Sequence, residues 1–171
     1  MGTLWTLLRA VDTINEWIAK ALSWVVVILI ATTVYEVVRR YVFSSPTSWV
    51  FEFNYLIHGT YFMLLGAYTY GVRGHVNVDI LHGRLSPRGQ ACLDLFTAPL
   101  FFFFMAMMFW FGGRFALISF GFRETLSSAW GPPIWPVKMV IPVAAGLVLL
   151  QGLAKFIRDL HVVLTGREVG A

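Results

Sequence analysis

Histidine and cysteine are the side chains of this protein that could hold a haem or a metal, but their spacing favours neither. The chain has 4 histidines and 1 cysteine. Bis-histidine haem needs two imidazoles that face each other across a helix bundle. Only His58 lies deep within an apolar run, whereas His75, His82 and His161 fall in loops or near run ends. Cys92 cannot form an internal disulfide or a Cys-x-x-Cys site. We therefore expect no catalytic residue, metal or cofactor in this chain.

Charged residues within apolar runs usually mark a transport pathway in a membrane protein. In this sequence they lie instead at the ends of the runs: Glu36, Glu52, Asp94, Arg114 and Lys138. Internal repeats, which many transporter cores contain, are not visible either. The distribution therefore favours an accessory subunit over a carrier.

Four apolar runs must position these residues. They contain no Asp, Glu, Lys or Arg and cover Ala21–Tyr35, Phe53–Val72, Leu95–Gly113 and Met139–Ala154. About 20 helical residues cross a hydrocarbon core of about 30 Å, and a backbone in hydrocarbon must satisfy its own hydrogen bonds. The composition agrees, with 58% hydrophobic and 13% charged residues. We predict an all-α membrane protein of one integral domain, 1–171, with transmembrane helices at about 20–43, 49–73, 90–119 and 134–158.

A separate amphipathic helix is predicted before the first span, at about residues 3–19. Its apolar residues recur at helical spacing, as expected for a helix lying in the membrane interface. Asp12 and Glu16 stand where a cleavable signal peptide would be basic, so we do not expect such a signal.

Basic residues predict the orientation of the spans. With four spans, one side carries Arg9, Lys20, Arg73, Arg84, Arg88, Lys155, Arg158 and Arg167, and the other carries Arg39, Arg40, Arg114, Arg123 and Lys138. Because basic residues are more abundant in cytoplasmic segments, both termini are predicted to be cytoplasmic. The net charge of +4 is thus attributed to membrane topology, and nucleic acid is not an expected partner.

One face of the second span carries Glu52, Tyr55, Gly59, Phe62 and Gly66. Glycine allows a second helix to approach closely, so this face packs either within the bundle or against a partner. Glu52 is also placed within reach of Arg39 or Arg40 across a short loop.

Several segments together resemble a known family, the small membrane subunit (Q component) of tripartite ATP-independent periplasmic (TRAP) transporters. They cover about residues 18–160 and comprise Arg40-Tyr41-Val42-Phe43, Trp49 with Glu52, Gly66, Arg73-Gly74-His75-Val76-Asn77-Val78-Asp79, Glu124, Pro132-Pro133-Ile134-Trp135-Pro136-Val137-Lys138 and Gln151-Gly152. The most specific of these is the segment from Arg73 to Asp79. Functional contact with a partner or lipid headgroups and local helix capping by Asp79 both remain open for it.

The resemblance implies a small permease subunit in the bacterial inner membrane. It would form a heterodimer with a large multi-span subunit that carries the substrate and sodium sites of an elevator-type carrier. A soluble periplasmic binding protein would deliver a small organic anion, and lipid would cover the remaining surface. The candidate motif, packing or interface residues are Arg40, Trp49, Glu52, Gly59, Gly66, Arg73, His75, Asp79, Glu124 and Lys138. Two alternatives stay open: a membrane anchor of a redox enzyme with a haem or quinone site, and a self-sufficient oligomeric transporter.

Overall fold

The computed structural model describes residues 2–72 and 85–165, which form four α-helices. Helix α1 spans Gly2–Tyr41, α2 spans Val50–Gly71, α3 spans Pro87–Gly121 and α4 spans Trp135–Thr165. This confirms the all-helical fold class. The side chains of Arg73, His75 and Asp79 lie outside the described residues.

Three of the described helices are long and apolar enough to cross a membrane, namely α1, α3 and α4. Helix α2 carries polar residues that lower its hydropathy, among them Asn54, His58 and several tyrosines. Its 22 residues nevertheless give it a length of about 33 Å, enough for a hydrocarbon core of about 30 Å. The count of four transmembrane spans stays a prediction.

Helix α1 differs from its predicted form. The sequence pattern predicts an interfacial helix that ends near residue 19, but α1 is one uninterrupted helix of 40 residues, about 60 Å long. Leu8 and Asn15 in its first half are only 6% and 3% exposed. That half packs against α4, and its polar residues bind the polar residues of α4. The helix therefore continues without a break past residue 19, where the predicted interfacial helix was expected to end.

Helix α4 is the centre of the bundle. It packs against α1, α2 and α3, and α1 also packs against α2. Small residues on α4 are buried in these contacts, including Ala144, Ala145, Gly152 and Ala154. Small side chains let helix backbones approach closely, which is how helices commonly associate in membranes.

Candidate functional site

The two ends of the bundle hold most of its polar contacts. Segments 42–49 and 122–134, which connect α1 to α2 and α3 to α4, meet at one end, called here the loop end. The beginning of α1 and the last third of α4 meet at the other end, called here the charged end. The helices therefore alternate in direction along the chain.

Trp49 joins the two connecting segments at the loop end. Its ring centroid lies 6.4 Å from that of Tyr35, 5.8 Å from that of Phe53 and 6.3 Å from that of Trp130. Aromatic pairs at these separations add to the free energy of area burial. Trp49 thus packs α1, α2 and the α3–α4 connection together.

Glu52 makes its contact across the same end of the bundle. Its carboxylate accepts a hydrogen bond of 2.8 Å from the Ser128 hydroxyl. Among the described residues, Glu52 forms no ion pair with the arginines expected within its reach. Arg40 pairs with Glu36 at 2.6 Å, and Arg39 donates to the Ser45 hydroxyl at 3.0 Å.

Glu36 is the carboxylate that organises this connection, because it lies one helical turn before Arg40 and is therefore a local partner. It also accepts a hydrogen bond of 3.1 Å from the backbone N–H of Thr47 and another from the Thr47 hydroxyl. Glu52 lies on the following helix and finds its partner in the second connection instead.

Glu124 and Lys138, two of the candidate residues named from sequence, form a pair that the sequence analysis did not predict. Lys138 Nζ donates to the Glu124 carboxylate at 2.5 Å, and the Ser119 hydroxyl donates to the same oxygen at 2.6 Å. These two hydrogen bonds, with that from Lys138 the stronger, hold the pKa of Glu124 below its usual value. Glu124 thereby joins the end of α3 to the beginning of α4.

The two glycines singled out on α2 have different surroundings. A Cβ built on Gly66 would lie 4.0 Å from Val148 Cγ2 of α4, whereas one built on Gly59 would meet no atom within 4 Å. Gly66 therefore packs inside the bundle, and Gly59 borders open space.

The charged end contains a polar network between α1 and α4. Arg158 Nη2 donates to the Asp12 carboxylate at 2.5 Å, and Gln151 Nε2 donates to the same carboxylate at 2.8 Å. Asn15 Nδ2 donates to Gln151 Oε1 at 2.6 Å, and both side chains are buried. These contacts fix the first half of α1 against α4.

A second ionic group at the charged end joins α3 to α4. Lys155 Nζ donates to the carboxylates of Asp94 and Asp159, the latter at 2.8 Å. The lysine and Asp94 side chains are each 23% exposed, and that of Asp159 is 10% exposed. They border a cavity of about 590 Å³ whose other walls include Tyr70 and Phe101.

Sequence reasoning did not identify the residues of the charged end as a set. A signal was present, because Gln151, Lys155, Arg158 and Asp159 recur at spacings of three and four residues and so share a side of α4. Their partners Asp12 and Asp94 are far away in sequence, and the pairing depends on how the helices pack.

The polar contacts at both ends of the bundle join helices to one another. Within residues 2–72 and 85–165, no group of three His, Cys, Asp or Glu side chains could hold a metal ion. His58 is exposed on the outside of the bundle, not directed inward as a bundle haem ligand would be. Cys92 is a free, exposed thiol.

Comparison with protein families gives a match over most of the chain. The family model of the DctQ component of tripartite ATP-independent periplasmic transporters matches residues 29–162. No curated protein gives a significant match. The family match lends no support to the redox-anchor alternative.

Proposed function

This chain belongs to the DctQ family, the small permease components of TRAP transporters, and we propose that it scaffolds the large transport subunit during sodium-coupled uptake of a small organic anion. The observation that carries this proposal is the family match, which extends from α1 to α4. The family is a transporter component and not an enzyme family. In this proposal, a periplasmic binding protein delivers the substrate, and sodium binds to the large subunit.

The distribution of polar contacts supports a scaffolding role. Ionic pairs lie towards the two ends of the bundle, while long apolar side chains such as Phe103, Trp110 and Leu117 cover the outside of α3. Transferring apolar surface to water costs about 25 cal/mol per Å², so a wide apolar belt resists displacement along the membrane normal. Such a subunit can hold a partner at constant depth while a mobile domain slides.

We further propose four spans with both termini in the cytoplasm. The four helices alternate in direction, and α2 is long enough to cross the hydrocarbon core. Helices α1, α3 and α4 contain 40, 35 and 31 residues and thus exceed the core thickness. The charged end would then extend towards the cytoplasm, where the excess of basic residues places it.

Cysteine labelling tests this topology. After Cys92→Ala, cysteines introduced by Ser45→Cys and Ser127→Cys at the loop end are expected to react with an impermeant thiol reagent added from the periplasm. A cysteine introduced by Leu164→Cys, at a position 74% exposed near the end of α4, is expected to react only after the membrane is opened. If only the Leu164→Cys variant is labelled from the periplasm, the orientation is the opposite of the one proposed. Equal periplasmic labelling of both ends would contradict the antiparallel spans.

Reconstitution tests the scaffolding role. In vesicles with an inward sodium gradient, this chain alone is expected to give no substrate uptake, because its described ionic groups join its own helices. Uptake is expected when the large subunit and binding protein are added under an inward sodium gradient, without ATP. A large subunit reconstituted without this chain is the matched control. Robust uptake by the small subunit alone, or full uptake in the control, would refute the proposal.

A further inference from the structure

Helix α2 presents an aromatic and histidine-containing face on the outside of the bundle. Phe51, Tyr55, His58 and Phe62 follow one another at spacings of four, three and four residues, so they share one side of the helix. Phe51, Tyr55 and Phe62 are 77%, 70% and 69% exposed, and His58 is exposed as well. These four residues are called here the His58 stripe.

The depth of His58 distinguishes the stripe from an ordinary lipid-facing surface. His58 follows Val50, the first residue of α2, by eight positions, which places it about 12 Å along the helix. Its short side chain cannot reach the membrane interface. Arg114 is also exposed, but it lies nearer to its helix end and has a long side chain that can extend towards the headgroups.

The imidazole of His58 has unmet hydrogen-bonding capacity. Its ring centroid lies 6.3 Å from that of Tyr61 and 5.8 Å from that of Phe62, and it makes no hydrogen bond to any other described residue in 2–72 or 85–165. A neutral imidazole carries one N–H donor and one nitrogen acceptor. Hydrocarbon offers neither partner, and histidines in spans usually face protein or a water-filled cavity.

The glycine beside the stripe leaves room for another helix. A Cβ at Gly59 would have no atom within 4 Å, and close backbone approach at glycine is a common mode of helix association in membranes. The outside of α3 differs, because Phe103, Trp110 and Leu117 there need no polar partner. Lipid suits that surface better than it suits the stripe.

We propose that the His58 stripe is the docking face for a transmembrane helix of the large transport subunit, which supplies the hydrogen-bonding groups that His58 lacks. This inference rests on the proposed function. A second copy of this chain fits less well. Two facing neutral imidazoles would share one hydrogen bond and leave a donor on one ring and an acceptor on the other unpaired. A helix of different sequence can satisfy both groups.

Photocrosslinking in the assembled complex tests the position of this interface. A benzoylphenylalanine is placed at Tyr55 or at Phe62, and at Phe103 on α3 as the matched exposed control. Crosslinks to the large subunit are expected from both stripe positions and at much lower yield from Phe103. Crosslinks from the stripe to a second copy of this chain, or to lipid only, would overturn the proposal. Equal yields from Phe103 and the stripe would also overturn it.

Substitution of His58 tests the hydrogen bond. His58→Leu is expected to lower copurification of the large subunit by about threefold or more, the size of an average to strong interhelical hydrogen bond in a membrane. His58→Gln, which keeps a donor and an acceptor, is expected to stay close to the wild type, as is the control Phe103→Leu. The melting temperature of the isolated subunit should be unchanged by His58→Leu, since the side chain is exposed and its aromatic neighbours Tyr61 and Phe62 lie on its own helix.

The outcomes distinguish failure of the proposed function from failure of the proposed docking face. Failure of the wild-type chain to copurify with the large subunit would overturn the proposed function. Copurification of wild type and His58→Leu in equal amounts would overturn only the docking face. Loss of melting stability in isolated His58→Leu would show that the residue acts inside this subunit, and would also overturn the docking face.

Discussion

Lys155→Met is expected to lower the free energy of unfolding by about 3 kcal/mol, because it removes the cation that the carboxylates of Asp94 and Asp159 share. Removing one partner of a buried ion pair weakens the compensation of the opposite charge in a medium that solvates it poorly. All three side chains are less than one quarter exposed, so water cannot replace the ammonium fully. Thermal melting in detergent and the yield of monodisperse protein would measure the loss.

Two matched variants control this experiment. Lys155→Arg keeps the charge and is expected to recover much of the stability. Lys20→Met removes a lysine whose pair with Glu16 is solvent-exposed, with side-chain exposures of 65% and 52%. An exposed pair of this kind contributes at most about 1 kcal/mol. The melting temperature of the Lys20→Met variant should therefore differ little from that of the wild type. Equal effects of Lys155→Met and Lys20→Met would contradict the assigned importance of the charged end.

Gly152→Leu is expected to disrupt the packing of α3 on α4. A Cβ at Gly152 would lie 2.3 Å from Cε1 of Phe101, well inside contact distance. The Phe101 ring stacks on Tyr70 at a centroid distance of 4.8 Å and interplanar angle of 15°, so it cannot move away without losing that contact. Overpacking of this kind costs about 1–3 kcal/mol, and we expect the upper end.

Leucine substitutions at two glycines of α2 are expected to destabilise the bundle less than Gly152→Leu. Gly66→Leu should cost less, because a Cβ there meets Val148 at an ordinary contact distance of 4.0 Å and only the longer branches need room. Gly59→Leu should leave the isolated subunit unchanged, since nothing lies within 4 Å. Melting temperatures of the three variants should therefore rank as Gly152→Leu lowest and Gly59→Leu highest. A reversed order would show that α3 and α4 are packed differently.

The all-helical fold class could be predicted from sequence because hydropathy and helix formation are local properties. A window of about 20 apolar residues specifies a helix without any knowledge of its neighbours. The extent of the helices beyond the apolar runs was not evident from sequence: α4 continues to Thr165, and α1 has no break near residue 19. Polar residues beyond an apolar run can continue the helix when a neighbouring helix satisfies them.

The contacts of the candidate site residues depend on tertiary packing. Glu124 and Lys138 are 14 residues apart in sequence and form a pair that the sequence analysis did not predict. Glu52 and Ser128 are 76 residues apart, and the structure joins them where an arginine partner was expected. Arg73, His75 and Asp79 lie outside the described residues, so their roles stay predictions.

Sequence by itself determined that this protein is helical and apolar, that its charges lie outside its four long apolar runs, and that its motifs resemble those of a TRAP small subunit. Only the tertiary structure decided which charges meet. Asp12 and Arg158 are 146 residues apart, and Asp94 and Lys155 are 61 residues apart. Such pairs depend on the rotation and register of packed helices, which arise from the burial of small residues such as Gly152 along α4. Local composition does not specify those two quantities.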